Sequence, residues 1–448
     1  MGNIPRFILI LFVLLLLILG TGLFPFKTTL ALLAGIIIFI VSFMSTEITL
    51  YFLIFSMLLS PEIIVASTPA REISLRLEDF LLPLLILGWF ARIAVYKDVQ
   101  LFSKTPYNKP IIVYIFLSIF ATGLGYISGR VSILSGSLFI LKYIEYFMIF
   151  FIVANYVKDE EEIKRLGTAI LITSFLISVY AIYQIPSGER VTAPFEGRYG
   201  GEPNTLGGYL VLMISITLGL ALTLKEGLKR LLLVGLLLLQ SVSLLYSLSR
   251  SSWLGLIPMY GILFVLSERK RDLLFGGIIA LLLLVVLSPA VVSERYSSTF
   301  QESPGFERTV RIGRLTFDPS ASERITGFKD AIKAWKKKPV LGYGVTGKGF
   351  IDGQYFRILV EVGLVGLAVF LWLVYTILKN LWLSFSASSD PYLRGLSLGL
   401  IAGTAGILVH SIGANSFIIV RIMEPYWLLV GLVFSAYRLN KYKQSISV

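Results

Sequence analysis

The chain has 448 residues, 56% of them hydrophobic and only 15% charged, with a formal net charge of +13. Soluble domains run nearer to roughly half apolar and a quarter charged, so the composition points to a polytopic helical membrane protein. The absence of cysteine excludes disulfides and thiolate metal sites, and a single histidine, His410, excludes a multi-histidine metal site. Basic residues lie scattered between apolar runs, which argues against nucleic acid as a partner. No metal and no cofactor is expected.

The expected fold is all-α, a transmembrane bundle of about 12–14 spans. Apolar runs fall at 7–24, 29–44, 48–59, 80–95, 110–126, 138–157 and 166–183. Further runs fall at 206–224, 231–247, 253–266, 273–287, 356–378, 395–410 and 425–437. The first follows Arg6 but no small-x-small cleavage site follows it, so it reads as an uncleaved helix. The second and third meet at 45–47 and are expected to form a hairpin or a re-entrant unit. Three regions are expected: a bundle over 1–287 with an outer loop at 184–205, a long extracytoplasmic loop over 288–355, and C-terminal spans over 356–448.

Sidedness follows from lysine and arginine in short loops. The segments 97–109, 158–165, 225–230, 268–272 and 438–443 are basic, and all fall on one side if the spans alternate. That side is expected to be the cytoplasm, with both termini there. Within the long opposite loop, Ile325, Phe328, Ile332 and Trp335 recur at helical spacing. Ser322 is the expected N-cap and Pro339 the stop. This amphipathic helix is expected to lie on the outer leaflet or to cap the bundle.

Several polar residues gather at the expected outer ends of the spans. Arg198 lies in a glycine-rich loop before the eighth span, together with Glu202 and Asn204. Positive-inside bias disfavours arginine in a short outer loop, so an anion-binding role is expected, against a plain snorkelling anchor. Asn204 or Thr205 is expected to cap the helix that follows. Arg250 lies in "SLSRSS", where the plain alternative is a tight turn with a capping serine. Arg324 begins the amphipathic helix. Asp352 precedes the span at 356–378, and Glu361 is expected about two turns inside it. A carboxylate within a span is a functional candidate, although Arg357 at i,i−4 offers a structural partner. Gly363 and Gly366 would allow close helix packing. His410 ends its span, and Lys142 and Glu145 form an expected structural pair. "GYGVTGKG" over 342–349 fits GxGxxG, but lacks the preceding strand and the Ser or Thr after the lysine that a phosphate loop requires, and reads as a flexible turn.

Arginine forks at a membrane surface suit a pyrophosphate, and a nearby carboxylate suits a general base. The stretches "EPNTLGGYL", "SLSRSSWLGL", "ERITGFKDAIKAWKKKPVLGYG", "DGQYFRILVEVGLVG" and "HSIGANSFIIVRIMEPYWLLVGL" occur in one order and membrane context. Together with Arg198 they resemble the O-antigen ligase and Wzy-type O-antigen polymerase superfamily of bacterial cell envelopes. The resemblance implies a glycosyltransferase independent of metal and nucleotide sugars. Its donor would be an undecaprenyl-pyrophosphate-linked oligosaccharide in the outer leaflet of the inner membrane, and its acceptor a glycan. A chain-length regulator would be a further partner. Arg198 and Arg324 would hold the pyrophosphate, supported by Arg250, with Glu202, Asn204 and His410 alongside. Ligases of this family carry a histidine a fixed distance before the glycine pair matched by Gly363 and Gly366. Here that position holds Asp352, a weaker base than imidazole, with Glu361 as a second candidate. The departure favours a polymerase. The alternatives are a ligase acting on lipid A-core or another acceptor, and a lipid-linked sugar transporter or flippase.

Overall fold

The structure is a computed structural model that describes residues 26–59, 63–68, 71–75, 77–96, 104–194, 202–225, 227–287, 311–312, 315–316, 319–349 and 351–446. The expected first span, 7–24, and Arg198 lie outside the described residues. The chain divides into two compact units, Met1–Ser103 and Lys104–Val448.

The first unit contains α1 (Phe26–Met44), α2 (Thr46–Leu59), a hairpin of β1 (Ile63–Thr68) and β2 (Arg71–Leu75), and α3 (Leu77–Tyr96). Only Ser45 separates α1 from α2. Its N–H bonds the Val41 carbonyl at 2.8 Å, and its Oγ accepts the Ile48 N–H at 3.4 Å. The serine therefore ends one helix and caps the next. α1 and α3 approach closely, since a methyl on Gly88 would lie 2.6 Å from the Ser42 Cβ. The antiparallel hairpin, bulged between Ile64 and Ala66, occupies a segment with no strand signal in the hydropathy reading.

The second unit runs through α4 (Asn108–Ile127), α5 (Ile133–Tyr156), α6 (Glu160–Tyr183), α7 (Pro203–Thr223), α8 (Leu228–Tyr246), α9 (Arg250–Leu266) and α10 (Lys270–Leu287). A two-stranded hairpin, β3 (Arg311–Ile312) and β4 (Leu315–Thr316), precedes α11 (Pro319–Lys337). Then come α12 (Gln354–Glu361), α13 (Gly363–Ala387), α14 (Pro391–Gly413) and α15 (Val420–Ile446). Among the described residues, seven helices are long and apolar enough to cross a membrane: α4 to α8, α13 and α14. α2, α9 and stretches of α1 and α3 are apolar but shorter.

α7 is the centre of the unit, buried along nearly its whole length. It lies against α14 through small residues, because a methyl on Gly219 would sit 2.6 Å from the Gly399 nitrogen. α9 approaches α14 in the same way at Gly255 and Gly406. In hydrocarbon, where apolar burial gives no net drive, such backbone proximity supplies the dispersion contact that holds helices together.

The two ends of this unit differ in chemistry. At one end Lys443 pairs with Glu160 at 2.8 Å, Lys164 with Asp390 at 3.3 Å, Arg394 with Glu268 at 2.9 Å and Arg230 with Asp272 at 2.5 Å. Arg438 donates to the Val157 carbonyl at 2.6 Å. Four of the five basic segments of the sequence thus meet one another at this end, as the alternation of spans requires.

Two expectations about local structure need correction. The run 356–378 is not one span. It is broken after Glu361, where Gly363 takes φ +75° and starts α13. Ser322 is not an N-cap, because α11 begins earlier, at Pro319. α11 does cap the bundle: Phe328 stacks on Phe356 of α12 at 4.3 Å, and Ala331 and Ala334 are buried against Ile351 and Val360. Ile332, expected on the packed face, is instead exposed.

Candidate functional site

The end opposite the basic loops collects most of the polar residues singled out in the sequence. Its hub is the C-terminal turn of α14 and the segment 410–416. His410 packs under Gly208 of α7, where a methyl would meet its ring at 2.8 Å. A methyl on Gly413 would touch the Ser251 hydroxyl of α9 at 2.6 Å and the Arg324 guanidinium at 3.7 Å. Asn415 donates to the Ile351 carbonyl at 2.8 Å, which brings the start of α12 to the same place.

Three helices therefore begin around one point: α7 at Pro203, α9 at Arg250 and α12 at Gln354. The first two are tied directly, since the Ser249 hydroxyl donates to Asn204 Oδ1 at 2.8 Å and receives Ser252 Oγ at 2.7 Å. Asn204 spends its side chain on this link and does not cap α7, contrary to the expectation. Thr205 does not cap it either, because the cap position is held by exposed Glu202, whose carboxylate accepts the Thr205 hydroxyl at 3.4 Å. Ser249 does stand at the N-cap of α9, and the residue before it, Leu248, has φ +50°. Helix starts carry free N–H groups and partial positive charge, so adjacent starts make an electropositive surface.

At the rim of this surface Arg324 Nε faces Asp352 Oδ2 at 3.7 Å. The Asp352 side chain is 39% exposed and that of Arg324 21%, so both remain open to a ligand. Glu361 stands in a different setting. Its Oε1 accepts Arg357 Nε and the Thr346 N–H, each at 3.0 Å, and its side chain is 3% exposed. The Arg357 guanidinium also lies over the Phe139 ring at 5.0 Å. The structural pairing of Arg357 with Glu361 is thus formed. So is that of Lys142 with Glu145, at 2.8 Å. His410 is fully buried, and its Nδ1 shares a 2.6 Å hydrogen bond with Ser416 Oγ. Arg250 opens α9 and is partly buried.

"GYGVTGKG" is a turn, but a packed one rather than a flexible one. Val345 is fully buried, and its N–H bonds Thr122 Oγ1 at 3.1 Å. The segment 339–346 also repairs the break between α12 and α13. Tyr343 and Gly344 donate to the carbonyls of Val360 and Glu361 at 2.8 and 2.9 Å. Leu364 and Val365 donate to the carbonyls of Pro339 and Val340 at 2.8 and 3.4 Å. Four backbone groups freed by the break, the carbonyls of Val360 and Glu361 and the N–H groups of Leu364 and Val365, thus find partners, as a helix end near hydrocarbon requires.

Some residues at this end escaped the reading of the sequence. Arg190 Nε and Nη2 donate to the carbonyls of Ser247 and Leu248 at 3.0 and 3.3 Å, fixing the turn that starts α9. The rule that flagged Arg198 applies equally to Arg190, which lies in the same loop of the sequence. Arg421 and Glu424, each only 1% exposed, open α15. Their signal was charge inside the otherwise apolar "IIVRIMEPYW".

Among the described residues, no group of three or more His, Asp or Glu side chains stands ready for a metal ion. Residues 235–371 match a family model described as O-antigen ligase. The match runs from α8 through the α9 turn, Arg324 and Asp352 into α13, and so covers much of the site just described. It supports the resemblance to the O-antigen ligase and Wzy-type polymerase superfamily. No curated protein matches the chain.

Proposed function

We propose that this chain, a membrane protein with an O-antigen ligase domain, transfers a polyprenyl-pyrophosphate-linked glycan to an acceptor sugar, and does so as a polymerase. The acceptor hydroxyl oxygen attacks the anomeric carbon of the donor. The bond from that carbon to the phosphate oxygen breaks, and its electron pair leaves with the polyprenyl pyrophosphate. Asp352 takes the proton of the attacking hydroxyl. Arg324, with Arg198 and Arg250, offsets the charge that develops on the leaving pyrophosphate. The helix starts at Pro203 and Arg250 face the same anion. Glu202 and Asn204 line the surrounding surface, and His410, buried under Gly208, supports it from beneath. The end bearing these residues is extracytoplasmic in this reading, and the ion-paired basic end is cytoplasmic.

The observation that carries the reading is the open Arg324–Asp352 pair, set where three helices begin. A cation for the leaving group and a carboxylate for the nucleophile then stand side by side within reach of a surface-bound substrate. Glu361 is enclosed by Arg357 and Thr346, which leaves Asp352 as the base. The test is an Arg198→Ala, Arg324→Ala double variant of normal abundance. The reading predicts loss of long glycan chains, and a wild-type chain-length distribution would contradict it.

The ligase reading keeps one specific support, the description of the matching family model. A deletion strain separates the two. Loss of a polymerase leaves single repeats on the lipid carrier, whereas loss of a ligase leaves finished polymer there.

A further inference from the structure

We infer that the rim beside the turn between α4 and α5 clamps the phosphate of an anionic membrane lipid, with Arg130, Lys338 and Lys348 arranged around Tyr343. The three come from separate places: the α4–α5 turn, the end of α11 and the glycine-rich turn. Yet the Arg130 guanidinium, the Lys338 ammonium and the Lys348 ammonium lie 5.8, 5.4 and 5.8 Å from the centre of one tyrosine ring. No two of them can be more than about 12 Å apart. Among the described residues none forms an ion pair with a carboxylate. Arg130 Nη2 donates to Ser128 Oγ at 2.6 Å, and its Nε is buried without a hydrogen-bond partner.

Three like charges around one ring repel, and the ring face offsets only part of that. A phosphate seated among them offsets that repulsion, because it accepts charge-assisted hydrogen bonds from both guanidinium and ammonium. The ring is held rigidly, with its hydroxyl donating to the Ala334 carbonyl at 3.1 Å. The backbone beneath is locked as well, since a methyl on Gly125 would strike both Val131 and the Tyr343 carbonyl.

The surroundings select a lipid over a free anion. Ile127, Ile133, Leu134, Val340 and Leu364 adjoin the cluster in chain and space, and each is more than half exposed. Ile127, Ile133, Leu134 and Leu364 lie at the ends of spans, so the cations stand beside a surface that faces acyl chains. That is the level of lipid phosphates, where aromatic and basic residues concentrate. The inference rests on the spanning of a bilayer and not on the transferase reading, and none of the three cations belongs to the proposed donor site.

The test uses the full chain in detergent, with bound lipid counted by native mass spectrometry during titration with phosphatidylglycerol or phosphatidylcholine. Wild type is expected to prefer phosphatidylglycerol on the order of a hundredfold, from roughly fivefold for each of three nearby cations. An Arg130→Gln, Lys338→Gln, Lys348→Gln variant loses the preference. A Lys329→Gln, Lys333→Gln, Lys336→Gln variant, with the same change of charge on the exposed face of α11, keeps it. Lys348→Gln alone, at an exposed position that folding does not depend on, lowers it roughly fivefold. Retained preference in the first or last of these variants, or equal loss in the control, would overturn the assignment. Displacement of the lipid by millimolar inorganic phosphate would assign the site to a free anion and would equally overturn it.

Discussion

Two carboxylates separated by nine positions have opposite settings, and the difference decides which can do chemistry. Asp352 is open at the rim with Arg324 at 3.7 Å, whereas Glu361 is sealed between Arg357 and a backbone N–H. Removing one partner of a buried pair strands the other charge, which costs about 3–5 kcal/mol. Glu361→Gln is therefore expected to lower the melting temperature in detergent markedly, and an apolar Arg357→Met, Glu361→Leu pair to recover much of the loss. Asp352→Asn is expected to leave melting unchanged and to reduce turnover by about 10²–10⁴-fold. Unchanged turnover in Asp352→Asn would remove it as the base. The residue types were legible in the sequence, and so was the i,i+4 spacing of Arg357 and Glu361. Their burial was not, because Thr346 and Phe139 reach Glu361 and Arg357 from distant parts of the chain.

At the scale of elements, hydropathy located the apolar helices well, though seven among the described residues are long enough to span where the sequence predicts about 12–14 spans, and it missed the break that shapes the site. "FRILVEVGLVGL" is apolar enough to read as one helix, and only tertiary pairing with 339–346 makes two. Gly363 carried the signal in retrospect: at φ +75° a methyl there would run into the Val340 carbonyl. Gly363→Ala is expected to cost at least about 1–2 kcal/mol from the left-handed backbone alone, and more from the collision. Gly129 has φ +67° with open space around it, so Gly129→Ala reports the backbone cost by itself. Thermal melting in detergent should show the larger fall for Gly363→Ala; equal falls would mean that the splice between 339–346 and α13 carries no extra strain. The amphipathic helix was legible in its existence, but its packed face is set by the stacking of Phe328 on Phe356, which spacing alone does not reveal.

At the scale of the second unit, one end gathers ion-paired basic loops and the other gathers helix starts, arginines and an open carboxylate. Loop charge made the first end legible, because lysine and arginine counts act locally. The second end needed the fold, since Asn204, Ser249, Arg324, Asp352 and His410 span more than two hundred positions of sequence. Charge collected at a surface suits transfer between substrates held there, whereas a transporter tends to place its polar groups near the midplane. The direct test is purified protein incubated with a polyprenyl-pyrophosphate-linked repeat unit, with no ion gradient, followed by separation of glycan chains and released lipid. The account predicts longer lipid-linked glycan and one free polyprenyl pyrophosphate per bond formed, both abolished by Arg324→Ala. Movement of the lipid-linked sugar across vesicles with no pyrophosphate carrier released would contradict it.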